Sequence, residues 1–282
     1  MATNTPWVFT DHGVGAPVAE SRGVIAARDG NGRAIVLALS MDLSARGWIL
    51  LTDIDAGDTE QVPFPEGVAN SPPFASLLSR NGRFYTFAGR TFLEFDLADR
   101  RWLFHGVPAP SESACTGDAM VDGPDGRIYA GTHPNCRLVS FDPETKELAD
   151  HGQLDTEEHY VNHLVCDTSG WLYAGIGTAR QNIVAYDPET GERVQIVDEK
   201  DRLLGTALVY LGEDGSAYGR AGDTWCRMLG GKATTITEGD AAPARRTGAI
   251  GWGSKQGTFS DGRRLVQYNL PERRMEIKCP GT

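Results

Sequence analysis

Apolar residues in this chain come in short bursts closed by small polar turns, with no long apolar stretch and no helical spacing. Ile128-Tyr129-Ala130 follows the turn Gly123-Pro124-Asp125-Gly126-Arg127, and Leu138-Val139-Ser140-Phe141 ends at Asp142-Pro143-Glu144-Thr145. The same order returns in Leu172-Tyr173-Ala174 after Asp167-Thr168-Ser169-Gly170-Trp171, and in Ile183-Val184-Ala185-Tyr186 before Asp187-Pro188-Glu189-Thr190-Gly191. Gly126 and Gly170 stand 44 residues apart, and Asp142 and Asp187 stand 45 apart. Weaker copies start at Asn31-Gly32-Arg33, Asn81-Gly82-Arg83-Phe84-Tyr85 and Asp214-Gly215-Ser216-Ala217-Tyr218, and a last one at Gln256-Gly257 leads to Gln267-Tyr268-Asn269-Leu270. Asn-Gly and Asp-Gly pairs accept the positive φ of a tight hairpin, so each unit is predicted to hold four short strands. The second strand carries the repeated Tyr.

Four-stranded units at a period near 45 describe an all-β fold, a β-propeller of four-stranded antiparallel blades, over residues 1–282 as a single domain. A helical solenoid would need a 3.6-residue period. Six repeats are visible, and the way the ring closes stays open at this level. Phe9-Thr10-Asp11-His12-Gly13 carries the outer-strand signature seen at Leu103-Phe104-His105-Gly106 and Leu148-Ala149-Asp150-His151-Gly152, which offers an outer strand to a last blade. Arg274 to Lys278 also reads as an outer strand of the sixth repeat. Six blades with a strand to spare, or seven with an incomplete last blade, both fit.

Composition narrows the partners. Thirty-eight Asp and Glu against 27 Lys and Arg give a net charge of −11, the opposite of a nucleic-acid-binding footprint. No apolar run approaches the ~18 residues of a membrane span. The N-terminus lacks a secretory pattern, so the chain as written reads as cytoplasmic, or as exported if a signal was removed. Five cysteines without a Cys-x-x-Cys spacing argue against a disulfide framework or a zinc knuckle. The Asp-Pro-Glu-Thr turns lack the spaced carboxylates of a Ca²⁺ loop, and no metal or cofactor is expected.

Propeller ligands gather where the loops entering strand one meet the loops joining strands two and three. Aligned on the hairpin Gly, these loops are predicted to hold Arg22, Arg90, Arg180, Arg220 and Arg246, with His133 and His159-Tyr160. An acidic body with a basic funnel points to an anionic carbohydrate or other anionic small molecule, held by guanidinium forks. The alternative for each arginine is a solvated loop charge. His12, His105 and His151 repeat by architecture and are expected to be structural, as are Tyr85, Tyr129, Tyr173 and Tyr218. His133 and His159 have no histidine counterparts in other repeats, and departures from a repeated framework are where a site would be written. Glu157-Glu158 beside His159 reads as an acid pair or as a solvated loop.

The run Asp125-Gly126-Arg127-Ile128-Tyr129-Ala130-Gly131-Thr132-His133-Pro134-Asn135 with Phe141-Asp142-Pro143-Glu144-Thr145, then Gly170-Trp171-Leu172-Tyr173-Ala174-Gly175-Ile176-Gly177, resembles bacterial propellers that process uronic-acid polysaccharides. The group is that of propeller-type ulvan lyases and related enzymes cleaving rhamnose–glucuronate linkages, and the resemblance covers about residues 70 to 195. It implies β-elimination at a uronate: a base removes the C5 proton, Arg or His neutralises the carboxylate, and an acid protonates the departing oxygen. His133, His159 and Tyr160 would then carry the proton work, and Arg180 and Arg220 would clamp the carboxylate. That family has seven blades where six repeats are visible here. The alternatives are a non-catalytic binding or scaffold propeller, and a small-molecule lyase or lactonase.

Overall fold

The computed structural model describes residues 8–11, 20–28, 31–41, 47–53, 55–68, 76–109, 114–245, 256–260, 265–269 and 274–279. Among them, six antiparallel units of four strands follow one another as the blades of a propeller. Blade 1 is Glu20–Arg28, Ala34–Met41, Trp48–Asp53 and Thr59–Pro63, and blade 2 is Ser76–Leu78, Arg83–Ala88, Thr91–Asp96 and Arg101–Gly106. Blade 3 is Ala114–Asp122, Ile128–His133, Arg137–Phe141 and Leu148–Gln153. Blade 4 is Val161–Cys166, Leu172–Thr178, Asn182–Tyr186 and Arg193–Gln195, and blade 5 is Leu208–Leu211, Ala217–Ala221, Thr224–Leu229 and Lys232–Ile236. Blade 6 is Gln256–Ser260, Leu265–Asn269 and Arg274–Cys279, completed by Val8–Asp11 from the other end of the chain.

That last pairing settles the closure. Phe9 lies opposite Lys278 and Asp11 opposite Glu276, so Arg274–Cys279 is a third strand and the N-terminal segment is the outer one. The sequence expectation that Arg274 to Lys278 is an outer strand is corrected, and the described strands make six blades with none to spare. Pairing the two ends satisfies an edge that would otherwise be left open.

Each strand alternates its side chains between two neighbouring seams, because successive residues of a strand point to opposite faces. Phe84 packs toward blade 1 while Tyr85 packs toward blade 3. Ile128 faces blade 2 while Tyr129 faces blade 4, and Tyr173 and Ile183 face blade 5. The core is therefore distributed between blades. This explains why the strands read as continuous apolar bursts and not as a hydrophobic–polar alternation.

The repeated turns are held by their acids. Asp142 Oδ1 accepts the N–H groups of Glu144 and Thr145, and Asp96 Oδ1 those of Ala98 and Asp99. The strand-two tyrosines are buried as expected, and they also donate: Tyr129 to Asp125, Tyr173 to Asp167 and Tyr218 to Asp214, each at 2.9–3.0 Å. His151 bridges two blades, with Nε2 2.8 Å from Ser140 Oγ and Nδ1 3.1 Å from the Tyr186 hydroxyl. His105, at the same repeat position, is exposed, and His12 lies outside the described residues. No helix of the described residues is long and apolar enough to cross a membrane.

Blades 3 and 4 are fused into one nine-stranded sheet by a parallel bridge between the backbones of Asp118 and His163, and Gly205–Thr206 adds to it by pairing with Gly177 and Thr178. Gly177 sits at φ +150°, and a Cβ there would lie 2.3 Å from the Gly205 carbonyl oxygen. Gly177→Ala is expected to cost about 1–3 kcal/mol through this overlap with backbone, measured as a lowered urea midpoint at unchanged slope. A wild-type midpoint would show that the 205–206 segment yields without penalty.

Candidate functional site

The loop that joins strands two and three of blade 3 meets the segment that enters blade 4, and there three of the expected residues come together. The His133 ring stacks on Tyr160, centroids 4.0 Å apart and planes 23° from parallel. His159 Nδ1 lies 2.8 Å from the Pro134 carbonyl oxygen. A carbonyl only accepts, so this nitrogen carries the proton and Nε2 is the ring atom left to act as a base, or as an acid once protonated. Two backbone hydrogen bonds fix the segment: Cys136 N–H donates to the His159 carbonyl at 3.1 Å, and Gly177 N–H donates to that of Tyr160 at 3.3 Å.

The His133 imidazole is held below its usual value, first by desolvation and then by the charge of His159. Half-buried His163 is pushed down by burial alone, and His151 by burial followed by Arg127. In all three the folded pKa is depressed below 6.5. The unfolded chain therefore binds more protons just below pH 6.5, and stability rises with pH through that window. Urea midpoints are expected to fall on acidification from 6.5 through the lower folded values of these histidines. A midpoint that is flat or rising over that range would contradict the assignment.

Beneath this pair lies a buried charged network that the sequence pattern did not reveal. Glu158, 3% exposed, accepts three successive backbone N–H groups from Thr178, Ala179 and Arg180. Its carboxylate ties the segment carrying His159 and Tyr160 to the strand-two-to-three loop of blade 4. Asp155 Oδ1 caps the N–H groups of Glu157 and Glu158, while Oδ2 accepts from Asn182 at 2.9 Å and from Arg202 Nη2 at 2.6 Å. Of the two readings of Glu157-Glu158, neither survives whole: Glu158 is a buried acceptor of backbone donors, and exposed Glu157 pairs with Arg180.

The arginines divide. Arg180 is engaged on both sides, by Glu157 and by Glu199, and its pKa is raised by the Glu199 hydrogen bond and then by Glu157. Arg202, which sequence reasoning passed over, bonds Asp155, Glu199 and the Arg180 carbonyl. Three carboxylates (Asp155, Glu157 and Glu199) pair with the two guanidiniums, and Glu158 adds a fourth that is held by backbone N–H groups, so acids outnumber arginines here by four to two. A substrate carboxylate would have to displace a glutamate from Arg180, so this part of the face is not the basic funnel the loop alignment led one to expect. Arg220 lies within a strand of blade 5 and not in a loop. It is exposed, with its guanidinium 5.9 Å from the Trp225 ring centre. Arg90 is exposed in the turn between Arg83–Ala88 and Thr91–Asp96. Arg22 falls inside the inner strand of blade 1 and not before it. The side chain of Arg22 and the whole of Arg246 lie outside the described residues. Among the described residues no group of three or more His, Cys, Asp or Glu is arranged to hold a metal ion.

No protein-family model matches the chain, and no curated protein matches it. Solved structures do match over nearly its whole length. The virginiamycin B lyase of Staphylococcus aureus superposes with a TM-score of 0.65 at 11% identity, covering 98% of this chain and 100% of the other. A catalytically inactive histidine-to-alanine variant of that lyase with quinupristin gives 0.64 at 10% identity over the same shares. A streptogramin B lyase structure gives 0.57 at 11%, covering 98% of this chain and 88% of the other. Likeness at this identity establishes the propeller fold.

Proposed function

We propose that this protein is a lyase that takes a proton from a carbon beside a carbonyl and expels an oxygen leaving group from a small molecule. The observation that carries the reading is His133 beside His159, with Tyr160 stacked on the first. A desolvated imidazole held below its usual pKa suits the role of base, and a second imidazole beside it can serve as the acid. His133, kept neutral by desolvation, takes the proton. The C–H electron pair becomes the new double bond as the C–O bond breaks. His159, oriented through Nδ1 by Pro134, hands a proton from Nε2 to the departing oxygen. Tyr160 holds the plane of the His133 ring.

Two further points support a small molecule over a polyuronate. The carboxylate clamp expected at Arg180 is already filled by Glu157 and Glu199. The solved propellers of similar shape are named as lyases of virginiamycin B and streptogramin B, which favours elimination by analogy of fold. A uronate-bearing glycan is the second reading, favoured by the exposed guanidiniums of Arg90 and Arg220.

The test is mass balance after incubation with a panel of neutral lactones and esters bearing an acidic β C–H, alongside uronate polymers. A lyase gives products whose masses sum to that of the substrate, with a new C=C absorbance, whereas a hydrolase adds a water. Products carrying water would replace elimination by hydrolysis, and no product from either set with folded protein would leave a binding propeller. The rate constant kcat/KM is expected to rise with pH with an inflection below 6.5, the deprotonation of His133. An inflection above 7 would remove His133 from the role of base.

A further inference from the structure

The seams between blades are built from equivalent repeat positions, and one seam is built differently from its neighbour. At the seam between blades 3 and 4, blade 4 presents Ile176, Val184 and Arg193. Ile176 and Val184 are buried in the apolar cluster there, and Arg193 donates to the carbonyls of His151 and Gln153 on the outer strand of blade 3. The strand registers place Ala221, Cys226 and Ala233 of blade 5 at those three positions: Ala217 pairs Met228 and Met228 pairs Ala233, as Leu172 pairs Tyr186 and Tyr186 pairs Arg193. Three large side chains are thus replaced by three small ones, and the arginine that seals the first seam has no counterpart in the second.

The space they vacate is a cleft of ≈ 240 Å³ between blades 4 and 5. This is smaller than the roughly 300–1,000 Å³ of a site for a drug-sized ligand, so its occupant is small. Ile183, Ile196 and Val197 of blade 4 and its following loop complete an apolar wall with Ala221 and Cys226. The polar lining is one-sided in charge: two carboxylates, Asp198 and Asp201, and two hydroxyls, Thr224 and Thr235, with no cationic side chain among the lining residues. Lys200 stands 3.6 Å from Asp198 with both side chains about three-quarters exposed, a solvated pair of the kind worth little and easily displaced.

We propose that this seam binds a compact organic cation, a primary ammonium on a short aliphatic or aromatic body, with the body in the cleft and the ammonium between Asp198 and Asp201. The apolar wall accounts for the body, the two carboxylates for the charge, and the hydroxyls for the remaining N–H donors. The site is separate from the His133–His159 pair, neither of which lines the cleft.

The experiment is a titration of the full chain, followed by ¹⁵N-observed NMR, with phenethylammonium, the neutral 2-phenylethanol and the anionic 3-phenylpropanoate. Saturable shifts at Ala221, Cys226 and Ala233 are expected, in the order ammonium, then alcohol, then carboxylate. Ala233→Arg, which restores the seal seen at Arg193, is expected to abolish them. Asp198→Asn with Asp201→Asn, both exposed changes that the fold tolerates, is expected to weaken the ammonium about tenfold and leave the alcohol unchanged. The proposal is overturned by absence of saturable binding at tens of millimolar, by equal binding of cation and anion, or by binding that survives Ala233→Arg in a folded variant.

Discussion

Arg202→Met is expected to destabilise the protein by about 3–5 kcal/mol, because it strips the cation from a carboxylate that stays buried. The side chains of Arg202 and Asp155 are 5% and 4% exposed and meet at 2.6 Å. Asp155 also caps the N–H groups of Glu157 and Glu158 and receives Asn182, so it cannot swing out to water without releasing the segment that carries His159. Met reproduces the length of the arginine stem and leaves little cavity, so the loss reports the charge and not the packing. The paired change Arg202→Met with Asp155→Asn is expected to recover part of the loss, since it removes the stranded charge. Urea unfolding of the four proteins of the cycle measures both. A loss below 1 kcal/mol in the single variant, or no recovery in the double, would mean that the network is solvated in solution.

His133→Ala is expected to lower kcat of the proposed elimination by about 10²–10⁴-fold, the usual worth of a positioned general base, with a much smaller change in KM. The ring is half-buried and held by a stack and not by a buried hydrogen bond, so the variant is expected to fold, with a urea midpoint close to wild type. The remaining activity should lose the inflection below pH 6.5. Full activity with an unchanged pH profile in the alanine variant would exclude His133 from the chemistry, and a matching collapse of stability would reassign it to the fold.

Much of the architecture is legible in the one-dimensional pattern because each blade repeats the same local solution. Asp142 and Asp187 each cap their own turn within three residues, and Tyr129, Tyr173 and Tyr218 reach carboxylates four to six residues away. Such interactions are local in sequence, so they leave a periodic trace. The outer strand of blade 6 is different. Val8–Asp11 carries the local signature of an outer strand, but which partner it takes depends on a pairing across the length of the chain, and Arg274–Cys279 has a strand pattern that does not say whether it is third or fourth.

Site residues follow the same division. That His133, His159 and Tyr160 depart from the repeat is visible in order alone, and the fold brings them into one place. That Arg180 is occupied is not, because Glu157 and Glu199 lie 23 and 19 residues from it in sequence and meet it only through the packing of two connections. Glu158 looks like any loop acid until three backbone N–H groups are seen to converge on it. The sequence by itself determined the blade, its turns, its tyrosines and the places where the repeat is broken, since these rest on contacts a few residues apart. Tertiary structure alone decided which end closes the ring, which charges are spent on one another and which seam is left open, since each of these is a contest between distant side chains for the same small space.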